Sequence, residues 1–175
     1  MNILEAYIKK NKKIIILLTG LDIKKINEIG DELSKDLKID IIKVNELYDN
    51  NYLINLEDLD INILNDKIKD KDKYIITNFS NIFSNIKFDF SINIKFDIQD
   101  YIKANIENSK EKYIKYKKNI EKNIPNKFFK FDDITKTTDL IWDYLMNFIQ
   151  SFLNKNDNNN NNNNDDNNDD YKKKK

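Results

Sequence analysis

The stretch Lys12–Leu33, "KKIIILLTGLDIKKINEIGDEL", decides the fold. Five consecutive apolar residues, Ile14 to Leu18, run into Thr19-Gly20, and a helical pattern follows with almost no turn residues between. A continuous apolar run of this kind is the signature of a strand covered on both faces. Ile23, Ile26, Ile29, Gly30, Leu33 and Leu37 then recur at helical spacing. Strand, glycine, helix is the frame in which a phosphate-binding loop is built.

Outward from this unit, strand and helix signals alternate. "IDIIKV" (Ile39–Val44), "KYIITN" (Lys73–Asn78), "FDFSINIKF" (Phe88–Phe96) and "KFFKF" (Lys127–Phe131) read as four further strands. Leu56, Leu59, Ile63, Leu64 and Ile68 mark one amphipathic helix. A long Lys/Glu/Asn-rich helix is expected from Ile98 to Lys122, closed by Pro125. Leu140, Ile141, Tyr144, Leu145, Phe148, Ile149 and Phe152 form the apolar face of a last helix. This order predicts an α/β protein: three layers, α/β/α, around a mainly parallel five-stranded sheet. It is expected to form one domain over residues 1–154. From Asn156 the chain reads "NDNNNNNNNDDNNDDYKKKK", which has no apolar surface to bury, so residues 155–175 are expected to be a disordered low-complexity tail.

Composition narrows the chemistry. The chain of 175 residues has no Cys, no His, two Gly, one Pro and a formal net charge of +0, and every basic residue is lysine. Without Cys there is no disulfide, thiolate nucleophile or thiolate zinc site. Without His the usual acid/base group at neutral pH is missing. Without Arg no bidentate guanidinium fork can hold a phosphate, and no arginine finger exists. The apolar run at Ile14–Leu18 is too short to span a bilayer, and "MNILEAYIKKNKK" lacks the pattern of a signal peptide. A soluble, cytoplasmic protein without a membrane partner is expected.

In a parallel sheet, ligands bind beyond the carboxyl ends of the strands. That directs attention to Gly20–Lys25, Asn45–Asp49, Asn78–Phe79 and Asp97–Asp100. A working phosphate loop reads G-x-x-x-x-G-K-[ST]. Its glycines let backbone N–H groups curl around phosphate, its lysine neutralises charge, and its hydroxyl binds magnesium. Counted from Gly20, Lys25 stands at the second glycine, Ile26 at the lysine and Asn27 at the hydroxyl. Lys24 and Lys25 are the cations near enough to replace the lost charge. At the end of the third strand, where a magnesium-positioning carboxylate is expected, the residue is Asn78. Both expected metal-ligand positions are asparagine, so no metal site is expected.

With these elements in order, the chain resembles the P-loop nucleoside and nucleotide kinases, most of all the uridine-kinase-like group. The resemblance lies in "IILLTGLDIKKINEIGDELSKDL", "YIITNF", "KFDFSINIKFDIQDYIKANIENSKEKY" and "ITKTTDLIWDYLMNFI", and it covers Lys12 to Leu153. It implies a lid over the phosphates and ancestral phosphoryl transfer from ATP. It also implies a nucleotide site at Gly20, Lys24, Lys25 and Lys103, where Lys103 is the nearest match to a phosphate-gripping lid arginine. ATP and magnesium are the cofactors implied if nucleotide binding is retained. Glu46 and Asp49 of "NELYD" are candidate bases for a substrate hydroxyl, though exposed loop acids fit the pattern as well. Phosphoryl transfer rests on positioning and charge stabilisation, so these losses point to a degenerate, catalytically inactive member, whose partner is a nucleotide or another protein. Two alternatives stay open: an active ATP-dependent kinase with a divergent loop, and an interaction scaffold. Zero net charge, and Glu111 and Glu121 within "KEKYIKYKKNIEK", argue against nucleic acid as a partner.

Overall fold

The computed structural model describes residues 3–11, 13–48, 60–79, 86–104, 109–122 and 127–172. Five strands form one sheet in the order β2-β3-β1-β4-β5. They are β1 (Ile14–Gly20), β2 (Asp40–Lys43), β3 (Lys73–Thr77), β4 (Phe90–Lys95) and β5 (Lys127–Lys130), and every pairing is parallel. The expected sheet is therefore present, and it is wholly parallel among the described strands. β1 lies at its centre, and all seven of its residues are buried.

The chain divides into two compact units, residues 13–141 and residues 1–12 together with 142–175. In the larger unit, helix α2 (Ile23–Leu37) packs on one face of β1–β3. Gly30 permits its close approach: a Cβ there would stand 2.6 Å from Ile41 Cδ1 and 3.0 Å from Thr77 Cγ2. Ile26, Ile29 and Leu33 beneath α2 are fully buried, each contributing about 1.5–3 kcal/mol over an exposed side chain. The opposite face gathers Ile15, Leu17, Ile42, Tyr74 and Ile76 with Leu64 of α4 (Ile61–Ile68). Ile41 and Ile42 point to opposite faces because side chains alternate along a strand, and this places helices on both sides of the sheet.

Helix ends follow their caps. Asp22 caps α2, Asp60 caps α4, and Asp133 accepts from Lys136 N–H at the start of α7 (Ile134–Lys172). A short helix α3 (Val44–Leu47) begins where β2 ends, one residue short of the strand expected from the sequence. The expected long helix is described as two, α5 (Ile98–Ala104) and α6 (Ser109–Lys122); residues 105–108 and Pro125 lie outside the described residues.

The smaller unit contains α1 (Ile3–Asn11) and the α7 residues from Trp142 onward. Leu145, Ile149 and Leu153 are buried at successive helical turns, and the Tyr7 ring meets Phe152 edge-on at 5.3 Å. α7 runs on to Lys172, into the Asn-rich segment whose composition predicts an unstructured tail.

Candidate functional site

The carboxyl end of β1 is separated from α2 by Leu21 and Asp22 alone. Helix α2 thus begins at Ile23, inside the span that an eight-residue phosphate loop would occupy. Its leading amides are engaged: Lys25 N–H donates to Asp22 Oδ1 at 3.3 Å, and Ile26 N–H donates to Asp22 O at 3.0 Å. A carboxylate at a helix N-terminus satisfies those amides and complements the dipole, and a phosphate would otherwise use the same groups.

Gly20 has no positive φ, so its backbone does not require glycine. Space requires it. A Cβ would stand 2.5 Å from Ile26 Cδ1 and 2.8 Å from Phe96 Cε2. The fully buried side chain of Ile26, at the position of the loop lysine, folds back over Gly20, and the Phe96 ring closes from beyond β4. Phe96 in turn packs on Phe131 with ring centroids 4.8 Å apart.

The two asparagines at the metal-ligand positions are joined. Asn78 Nδ2 donates to Asn27 Oδ1 at 3.2 Å, Thr77 Oγ1 donates to the same oxygen at 2.6 Å, and Asn27 Nδ2 donates to Asn45 Oδ1 at 2.9 Å. Asn78 has φ of 61°, a left-handed conformation that Asn tolerates better than most residues. Its Oδ1 is buried without a hydrogen-bond partner. Among the described residues no group of three or more Asp, Glu, His or Cys side chains is placed to hold a metal ion.

The candidate lysines go separate ways. Lys25 Nζ stands 4.8 Å over the Phe131 ring and 3.9 Å from the Asp22 carboxylate. Lys24 lines a cleft of about 540 Å³ beside the first turns of α2. Lys103 is exposed on α5, and neither it, Lys25 nor Gly20 lines that cleft. The cleft holds the acids Asp22, Glu28, Asp31 and Glu46 against Lys24 and Lys43, so its lining is net negative. Lys43 is itself paired with Asp31 at 2.9 Å. Glu46 is therefore in the cleft, and Asp49 lies outside the described residues.

Two groups near this end of the sheet were not marked by any motif. Phe96 is one. The other is a buried polar chain in which Tyr116 O–H of α6 donates to Asn93 Oδ1 at 2.9 Å, and Asn93 Nδ2 donates to Thr19 Oγ1 at 3.0 Å. Desolvation pushes the Tyr116 phenol above its ordinary value, partly offset by the bond to Asn93. Tyr113 and Tyr116 of "KEKYIKYKKNIEK" are legible as aromatics among lysines, and only packing shows that Tyr116 turns inward.

Comparison with family models and with curated proteins gives no match. Solved structures do match. Shikimate kinase from Aquifex aeolicus vf5 superposes with a TM-score of 0.52 at 13% identity, covering 75% of this chain and 96% of its own. An uncharacterized protein from Eubacterium ventriosum ATCC 27560 gives a TM-score of 0.48 at 15% identity, covering 75% and 98%. At such identity the likeness is one of fold: the chain has a P-loop kinase-like α/β fold. Among the described residues no helix is long and apolar enough to cross a membrane.

Proposed function

We propose that this protein is a non-catalytic relative of the P-loop nucleoside and nucleotide kinases, of the uridine-kinase-like group, which has kept the fold and lost phosphoryl transfer. One observation carries the reading: Ile26 and Phe96 fill the space over Gly20 where a phosphate loop would receive its ligand. The Asp22 carboxylate on the α2 amides and the joined Asn27–Asn78 pair favour the same conclusion, since one adds negative charge and the other withholds it from a metal. Any nucleotide binding that persists is weak on this reading, and the protein acts through contacts with other macromolecules.

The competing reading is an active kinase with rearranged lysines. It requires Lys24 and Lys25 to converge on one phosphate; against it, Lys24 lines the acidic cleft, while Lys25 does not line it and stands over Phe131.

Thermal unfolding with and without excess ATP and magnesium separates the two. A ligand at a hundred times its dissociation constant adds about 2.7 kcal/mol, roughly 5–10 °C in midpoint for this size. The expected result is no shift at millimolar ATP and no magnesium-dependent ATP turnover. A full shift, with turnover abolished by Lys24→Ala or Lys25→Ala, would establish the active kinase instead.

A further inference from the structure

The outer edge of the sheet at β5 carries chemistry that the nucleotide-site reading leaves unused. Among the described strands β5 is the terminal one, and it pairs with β4. Phe131 N–H donates to Lys95 O at 2.9 Å. Strand hydrogen bonding has a period of two, so Phe128 and Lys130, out of phase with Phe131, turn their backbone N–H and C=O groups to the outer edge.

The side chains along this edge are basic and aromatic. Register sets Lys130 directly beside Lys95, a like-charge pair that costs stability. Neither lysine has a carboxylate within ion-pair distance among the described residues. Lys95 Nζ lies 4.6 Å over the Phe128 ring, and Phe128 is 39% exposed. Lys127 is also exposed at the start of the strand.

A second copy is a poor occupant. "KFFK" reads the same in both directions, so antiparallel self-pairing would set Lys127 against Lys130 twice. Single-stranded nucleic acid would answer the lysines but has no amide ladder for Phe128 and Lys130. An acidic strand answers both demands. We propose that this edge receives an extended acidic segment of a protein partner as a sixth strand. Carboxylates three residues apart in that segment would meet Lys127 and Lys130, with apolar side chains between them against Phe128. The charges that exclude self-association select this partner.

The test uses the full chain and three probes: a labelled ten-residue peptide centred on Asp-Val-Val-Asp, the same peptide N-methylated at alternate residues, and a dT15 oligonucleotide. The expected result is saturable binding of the first peptide at low salt. Loss of binding on N-methylation is expected, as is weakening of about tenfold or more in Lys95→Glu/Lys130→Glu. Both lysines are exposed, and circular dichroism of the double variant checks that its fold is kept. Equal binding of the methylated peptide would overturn strand addition. Binding of dT15 without the peptide would assign the edge to nucleic acid, and no binding of any probe at millimolar concentration would leave the lysines as guards of the edge alone.

Discussion

Asn78 donates its side-chain amide to Asn27 Oδ1 at 3.2 Å, across the gap where a kinase of this fold sets a carboxylate and a hydroxyl around magnesium. The pair is buried, with Asn27 8% and Asn78 1% exposed. At the two positions where the phosphate-loop pattern expects metal ligands, this chain has a hydrogen-bonded cross-link between α2 and the end of β3.

Asn78→Ala removes donors from Asn27 Oδ1 and from the Ile23 carbonyl and puts alanine at a φ of 61°. The expected loss is about 2–3 kcal/mol in denaturant unfolding. Asn78→Gly relieves the backbone and is expected to cost less. Asn78→Asp, which would bring back the carboxylate expected in a working site, sets an acceptor against the Asn27 and Ile23 oxygens and is expected to be the least stable of the three. If Asn78→Asp proves the most stable and gains magnesium-dependent stabilisation, the cross-link reading fails.

Gly20 and Ile26 give a second prediction, because one residue is shaped around the other. Gly20→Ala forces a Cβ against Ile26 Cδ1 and Phe96 Cε2, and is expected to cost about 1–3 kcal/mol. In an Ile26→Ala background the Ile26 contacts are gone and the Phe96 ring alone opposes the added methyl, so Gly20→Ala is expected to cost less there. A double-mutant cycle reads this as a coupling of at least about 0.5 kcal/mol. Strict additivity would show that Ile26 does not fill the site.

How far the sequence carried these conclusions differs between the sheet and the site. All five strands were legible because β1 opens with five consecutive apolar residues, Ile14 to Leu18, and its neighbours are short apolar runs. The end of β2 was misjudged by a residue because Val44 suits a strand as well as the first turn of α3. The departures from the phosphate-loop pattern could be read by counting from Gly20 for Ile26 and Asn27, and at the end of the third strand for Asn78. What packs around them could not. Phe96 reaches Gly20 from just beyond β4, and Lys25 finds Phe131 more than a hundred residues away, contacts that have no local signature. The cap at Asp22 takes its meaning from the structure, because α2 starts early, at Ile23.

Asp89 provides a pH test at the opposite end of the sheet. Its Oδ2 accepts from Ile15 N–H at 2.7 Å, and its own N–H donates to Ile15 O at 2.9 Å. Desolvation raises its carboxyl above the ordinary value of 3.8, and the bonds to backbone N–H offset part of that rise. The folded protein therefore holds this proton to a higher pH than the unfolded chain does. The associated stability is fully present below the unfolded value and is lost as pH rises through the folded one. Stability measured from pH 3 to 7 is expected to rise less steeply in the wild type than in Asp89→Asn, whose amide keeps the bond from Ile15 and has no proton to lose. Identical slopes in the two proteins would remove Asp89 from the titration.

The C-terminal segment supplies the last test. Beyond Leu153 the chain has no apolar residue before Tyr171, so nothing in it can bury a helix face, and Asn is a weak helix former. A helix continued through such a segment gains no tertiary packing, the main source of helix stability in proteins. We therefore propose that residues 155–175 are a disordered tail and that the packed part of α7 ends near Leu153. Truncation after Asn154 is expected to leave the thermal midpoint unchanged. It should also raise the mean residue ellipticity at 222 nm in magnitude, because unstructured residues leave the average and helical ones stay. A fall in helical signal per residue, or a lowered midpoint, would mean that the Asn-rich segment is an ordered continuation of α7.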